Sequence, residues 1–211
     1  MIIINFKNYK TGQDALKLAR LIQKYDKKAI VAMPAQDIEN ISENTKLKVF
    51  AQHIDAIESE KATGFLSAKT IKQDGAQGTI LNHSEHQIPF NILKKTLKIC
   101  KKHGLKTLVC TKSVKEVKKI VKLKPWAIAF EDPYLIGTGK SITKYQTKNI
   151  LKFIKLFKRT KIIPICGAGI STANDVKAAY KLGCKGVLIA SAIAGKSYKK
   201  AEKLLKEIHN H

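Results

Sequence analysis

Eight short apolar runs, each followed by a segment of helical periodicity, constrain this chain more than any other feature. The runs cover residues 2–6, 29–33, 49–52, 78–82, 105–110, 126–131, 162–166 and 186–190. They lack the polar alternation of half-exposed strands, as strands covered on both faces do. Between them, apolar residues recur at helical spacing, as in Leu18, Leu21, Ile22 and Tyr25, or Leu93, Thr96, Leu97 and Cys100. The same stripe appears in Val114, Val117, Ile120 and Val121, in Ile150, Phe153, Ile154 and Phe157, and in Ala201, Leu204, Leu205 and Ile208. Shorter helices are expected near residues 36–42, 68–74 and 174–182. Strands and helices in strict alternation with short connections give an α/β fold with a parallel sheet. Eight such units in 211 residues suit a closed (β/α)8 barrel, a single domain over residues 1–211. An open doubly wound sheet is the alternative.

Charge and cysteines narrow the setting. Of the 40 lysines and arginines, only Arg20 and Arg159 are arginine, and the formal net charge is +24. Such a chain attracts anions. Base readout and bidentate phosphate contacts favour arginine, however, and the lysines are spread through every segment. Lys148, Lys152, Lys155 and Lys158, for example, read as one solvated helix face. The four cysteines (Cys100, Cys110, Cys166 and Cys184) form no CxxC pair and sit in or beside apolar segments, as reduced core residues of a cytosolic protein do. No apolar run approaches the ~18 residues of a membrane span, and the start MIIINFKNYK does not read as a signal peptide. A cytoplasmic protein without membrane contact is expected.

Residues 126–141, WAIAFEDPYLIGTGKS, carry the first chemical hint. An apolar run ends on a lone carboxylate, Glu131, and passes into a loop marked by Pro133, Gly137 and Gly139. A carboxylate at a strand's C-terminal end, followed by a glycine-tipped flap, is the layout of a barrel active site. Lys7 follows strand one, with Asn5 two residues before it and on the same side if the strand persists. His83 follows strand four. Taken singly, Lys7 is one more solvated lysine and His83 one more hydrogen-bonded histidine. Together they bring a base, a neutral hydrogen-bond donor and a positive charge to three strand ends. That set suits proton abstraction next to a carbonyl.

Three sites offer backbone N–H groups to a phosphate: Ile136-Gly137-Thr138-Gly139, Cys166-Gly167-Ala168-Gly169 and Ala190-Ser191. The last two follow strands seven and eight, where barrels commonly hold phosphate. Competing motifs fail on single residues. A P-loop ending in Gly139-Lys140-Ser141 would need glycine where Tyr134 stands, and a dinucleotide fingerprint from Gly167 would need glycine where Thr172 stands. No cluster has metal-ligand spacing.

In order along the chain, Asn5-Phe6-Lys7 with Tyr9, Ala51-Gln52-His53-Ile54-Asp55, Thr63-Gly64, Asn82-His83-Ser84-Glu85, Ile136-Gly137-Thr138-Gly139, Cys166-Gly167-Ala168-Gly169-Ile170-Ser171-Thr172 and Gly186-Val187-Leu188-Ile189-Ala190-Ser191 resemble the triosephosphate isomerases, most closely their short archaeal form. The resemblance implies a TIM barrel that interconverts dihydroxyacetone phosphate and D-glyceraldehyde 3-phosphate without cofactor or metal. It implies Glu131 as the base, His83 as a neutral electrophile and Lys7 as the positive charge. Asn5 would fix a substrate oxygen, the backbone of Gly137, Gly169, Ala190 and Ser191 would hold the phosphate, and Ser84 and Glu85 would support. Residues 132–141 would form a lid. A glutamate base beside a neutral histidine belongs to that family's established chemistry, not to anything the spacing shows. Thr63-Gly64 matches a loop that in relatives reaches a neighbouring subunit's site, which implies a homo-oligomer, tetramer before dimer.

Two departures stand out. Asp132 follows Glu131 where relatives usually carry proline, and is expected to raise the pKa of Glu131 or loosen the lid hinge. His86 replaces the arginine that bacterial and eukaryotic relatives carry after the HSE motif, which puts the support of Glu85 in question. The alternatives are a basic nucleic-acid-binding protein, disfavoured by scarce arginine, and a degenerate barrel kept for assembly, disfavoured by the intact Lys7, His83 and Glu131.

Overall fold

In the computed structural model, which describes residues 1–135, 138 and 141–209, eight parallel strands close into a barrel in chain order. They are β1 (Ile2–Asn5), β2 (Ile30–Met33), β3 (Lys48–Ala51), β4 (Gly78–Leu81), β5 (Lys106–Thr111), β6 (Ala127–Phe130), β7 (Ile163–Cys166) and β8 (Gly186–Ile189). Ile3 lies opposite Ile30 of β2 on one side and Leu188 of β8 on the other, which seals the barrel and excludes the open sheet.

The missing polar alternation has a direct cause: both faces of the strands are buried. Ile3, Ile30, Phe50, Ile80, Leu108, Ile165 and Leu188 fill the barrel interior as one cluster. Their strand neighbours, such as Ile2, Ile4 and Val31, face outward into a second layer packed under the helices.

The helices are α1 (Gly12–Tyr25), α2 (Ile38–Asn44), α3 (Ala68–Gln73), α4 (Phe90–Lys102), α5 (Val114–Ile120), α6 (Ile142–Tyr145), α7 (Thr147–Lys155), α8 (Ala173–Lys181) and α9 (Tyr198–His209). The apolar stripes point inward as their spacing requires: α4 buries Leu93, Thr96, Leu97, Ile99 and Cys100. It stops where Gly104 takes a positive φ of 67°. Lys148, Lys152, Lys155 and Lys158 are all exposed. The one-turn α6 has no periodic signature in the sequence, being too short to show one. All four cysteines are buried and free. Among the described residues no helix is long and apolar enough to cross a membrane.

Two contacts set the frame for the site. Phe130, the last residue of β6, stacks on Phe153 of α7 with ring centroids 5.4 Å apart, which fixes the strand just before Glu131. At the start of α8, Thr172 and Asp175 form a capping box. Burial alone would raise the Asp175 carboxyl, but hydrogen bonds from Ser171, Thr172 and Ser141 outweigh it and hold the group below its ordinary value. Asp175 therefore stays ionised and anchors the loop after β7.

Candidate active site

Period-two alternation carries three residues inward at the C-terminal mouth of the barrel. Asn5, Glu131 and Ala190 each lie two positions beyond an interior residue (Ile3, Ala129 and Leu188). Asn5 and Glu131 are buried, at 4% and 5% exposure.

Lys7 arrives differently from the expectation. β1 ends at Asn5, and Lys7 itself has a φ of 46°. A left-handed lysine costs on the order of 1 kcal/mol, and its surroundings hold it there. The Lys7 amide donates to Asn5 Oδ1 at 3.0 Å, and Gln52 Nε2 donates to the Lys7 carbonyl at 3.0 Å. Lys7 Nζ then pairs with Glu85 Oε1.

His83 needs a second left-handed residue. Simple alternation beyond Ile80 would turn it outward, but Asn82 has a φ of 58° and redirects the chain. Asn82 Nδ2 donates to the Cys110 carbonyl and to Glu116 Oε1, both at 3.0 Å, and its Oδ1 accepts from the Ile88 amide at 3.2 Å. The Glu85 amide donates to His83 Nδ1 at 3.2 Å. A backbone N–H has no lone pair to offer, so Nδ1 is the acceptor and the ring proton sits on Nε2. Nε2 lies 3.8 Å from Glu131 Oε2, across the cleft.

Glu131 Oε2 is buried with no hydrogen-bond partner among the described residues. On its other side the carboxylate rests on Gly167, where an added Cβ would fall 2.6 Å from Oε1 and 2.7 Å from Cγ. Gly167 is thus a spacer that only glycine can fill while the carboxylate stays in place. Burial, with the carboxylate adding to it, pushes the Cys110 thiol well above its ordinary value, so a neutral thiol flanks Glu131.

Beyond β7, Ala168 and Gly169 are consecutive left-handed residues, with φ of 69° and 67°. Beyond β8, the Ala190 carbonyl accepts from the amides of Ile193 and Ala194, so a turn opens at Ser191. Neither the Gly169 nor the Ser191 amide donates to another described residue. Both line one cleft with Asn5, Lys7, His83, Glu131 and Ala190. Such paired loops with free amides form a concave anion cradle.

Seven of the sequence-predicted residues thus meet in one place. Gly137 lies outside the described residues. Glu85 stands behind Lys7, and Ser84 faces a separate groove with Lys112 and Asp132. Gln52, Asn82, Gly167 and Asp175 act in the site's construction without having been singled out. Their signals were weak: a lone amide, an asparagine after a strand, one glycine in a glycine-rich loop, and an N3 acid.

The chain matches the triosephosphate isomerase family model over residues 1–206. The chain belongs to the triosephosphate isomerase family. It is 37% identical to the enzyme of Methanothermus fervidus and 35% identical to that of Methanocaldococcus jannaschii, covering 99% of this chain and 98% of each relative. Triosephosphate isomerase from Bartonella henselae shares the fold with a TM-score of 0.73 at 18% identity, over 98% of this chain and 96% of that one.

The two departures from the family pattern can now be placed. Asp132 Oδ1 accepts from the Tyr134 amide at 3.0 Å and Oδ2 from Gln146 Nε2 at 2.7 Å. It ties the segment after Glu131 to the start of α7, which counts against the looser hinge, one of the two effects expected of it. His86 leaves Glu85 to Lys7 and instead stacks on His53, with centroids 4.0 Å apart and Asp55 Oδ1 3.2 Å from His53 Nε2. Burial and the neighbouring His86 hold the His53 pKa below its ordinary value of 6.5, against the pull of Asp55. Below about pH 6.5 the unfolded chain therefore binds a proton that the folded one resists, and stability falls with pH. Thermal midpoints measured from pH 7 to pH 5 should fall, and His53→Gln should flatten that limb.

Proposed function

We propose that the chain interconverts dihydroxyacetone phosphate and D-glyceraldehyde 3-phosphate through an enediolate, with Glu131 as the shuttle base. Glu131 removes a proton from C1 of the ketose. The electron pair of that C–H bond becomes the C1=C2 double bond, and the carbonyl pair moves onto the C2 oxygen. The His83 Nε2–H donates to the oxygen that gains charge, and Lys7 adds a positive field in a buried setting. The C1 hydroxyl proton then passes to the C2 oxygen, and Glu131 returns its proton to C2 as the carbonyl forms at C1, which gives the aldose. Asn5 positions a substrate oxygen. The amides of Gly169 and Ser191, with Ala190 and Gly137, hold the phosphate. Glu85 supports both His83, through its amide, and Lys7, through its carboxylate.

The observation that carries this reading is the pairing across the cleft. A buried carboxylate oxygen with no hydrogen-bond partner among the described residues faces a histidine whose donor nitrogen is fixed by the Glu85 amide. A coupled assay started from glyceraldehyde 3-phosphate tests it: turnover is expected, and its lack in folded protein would refute it. Gly167→Ala supplies a sharper check. The added methyl displaces the Glu131 carboxylate by roughly 1 Å, and kcat should fall by about 10²-fold, with KM little changed.

A homo-oligomer, tetramer before dimer, belongs to the same reading, as does a cytoplasmic setting, which suits four buried free thiols. Beside Thr63-Gly64, Phe65 is 55% exposed, and Phe90 at the start of α4 is 48% exposed. Apolar side chains left open this way suit burial against a second copy. Sedimentation velocity should give a mass of four 23.5 kDa chains, and a monomer mass would exclude the assembly.

A further inference from the structure

The chain's one tryptophan lies in a strongly basic groove at the end of the barrel opposite the catalytic mouth. Trp126 directly precedes β6, and the groove is completed by Lys94, Lys98 and Lys101 of α4, Lys106 at the first position of β5, and Lys124. Its volume is about 490 Å³. Five of its eleven lining residues are lysine and none is acidic, against 40 lysines and arginines in 211 residues overall. None of the five forms an ion pair with a described residue, so their charge is uncompensated locally.

Three details set this groove apart from the solvated lysine row of α7. Lys94, Lys98 and Lys101 follow helical spacing, so they stand on one face and converge with lysines from two other elements. Lys106 Nζ sits 5.4 Å from the centroid of the Trp126 ring, where the indole face attracts it. Lys124 adopts a left-handed conformation, with φ of 54° and ψ of 51°, at a position where glycine or asparagine would carry less strain. Leu97 and Leu123 add an apolar wall.

We propose that this groove binds a small oligophosphate, a run of two or more linked phosphates, either free or carried by a nucleotide. Several ammonium groups at separate points match a ligand with several separated negative charges better than a single phosphate. Lysine presents point charges without the planar fork of arginine, so it selects charge density over geometry. The half-buried indole and Leu123 provide an apolar edge for a base, should the phosphates carry one. The site is independent of the isomerase chemistry, because it lies at the strand starts and the reaction at the strand ends.

Trp126 reports on occupancy directly, being the single tryptophan. Tripolyphosphate, ATP and inorganic phosphate would be titrated at constant ionic strength, with fluorescence excited at the red edge and calorimetry in parallel. Tripolyphosphate and ATP should bind saturably with one site per chain, at least tenfold tighter than inorganic phosphate. Tighter binding of ATP than of tripolyphosphate would assign a nucleotide; equal binding would assign the bare oligophosphate. Lys98→Glu with Lys106→Glu should weaken binding at least tenfold and leave isomerase turnover unchanged. Lys148→Glu with Lys152→Glu, the same change in net charge on the outer face of α7, should leave binding intact. Equal loss in the two double variants, or no preference over inorganic phosphate, would mean bulk charge screening only and would overturn the proposal.

Discussion

Replacing Glu131 with glutamine lowers kcat by about 10³ to 10⁴-fold, the upper range for loss of a positioned base. The amide keeps the shape of the side chain but has no proton affinity at neutral pH. The effect should appear in kcat and kcat/KM alike, because the phosphate cradle and Lys7 are untouched and ground-state binding persists. Stability should move the other way. Glu131 is 5% exposed and its Oε2 has no hydrogen-bond partner among the described residues. A buried acceptor left unpaired costs about 1–3 kcal/mol, so the neutral amide should melt at the same temperature or higher. A variant that lost activity by unfolding would melt lower, and the two measurements together separate the cases.

Lys7→Met gives the second large effect, a fall in kcat/KM of about 10² to 10³-fold, as for loss of one preorganised electrostatic contact. Methionine retains most of the stem and removes only the charge. Lys7 sits at a left-handed turn anchored by Asn5 and Gln52 through its backbone, and those bonds survive the substitution. Its partner Glu85 is 56% exposed on its side chain, so water can solvate the carboxylate once Nζ is gone. The ion pair therefore contributes little to folding, and the melting temperature should change little. Steady-state kinetics alongside a melt decide it: near-normal turnover would remove Lys7 from the mechanism.

The barrel was legible because burial on both strand faces leaves a plain mark, an apolar run without polar alternation. Asn5, Glu131 and Ala190 were legible for a related reason, since each continues the inward alternation of its own strand. His83 was found as a residue, but its orientation was not readable. That depends on the left-handed Asn82, and asparagine after a strand has several other uses. Lys7 was assigned to the correct place by an argument that fails in detail, because β1 stops two residues earlier. Gly167 could not be distinguished from its neighbours by sequence, as its role appears only once β6 and β7 bring Glu131 against it. The tie from Asp132 to Gln146 likewise joins residues whose pairing no local pattern announces.

The most direct test of the central claim is isomerisation of dihydroxyacetone phosphate in D2O, followed by proton NMR, for wild type and Glu131→Gln together. If Glu131 shuttles the proton through an enediolate, wild type yields glyceraldehyde 3-phosphate carrying deuterium at C2 and washes deuterium into C1 of the remaining ketose. The variant should do neither on the same timescale. Exchange at an undiminished rate in Glu131→Gln, or product that forms only with the substrate's own hydrogen retained in full at C2, would contradict the assignment.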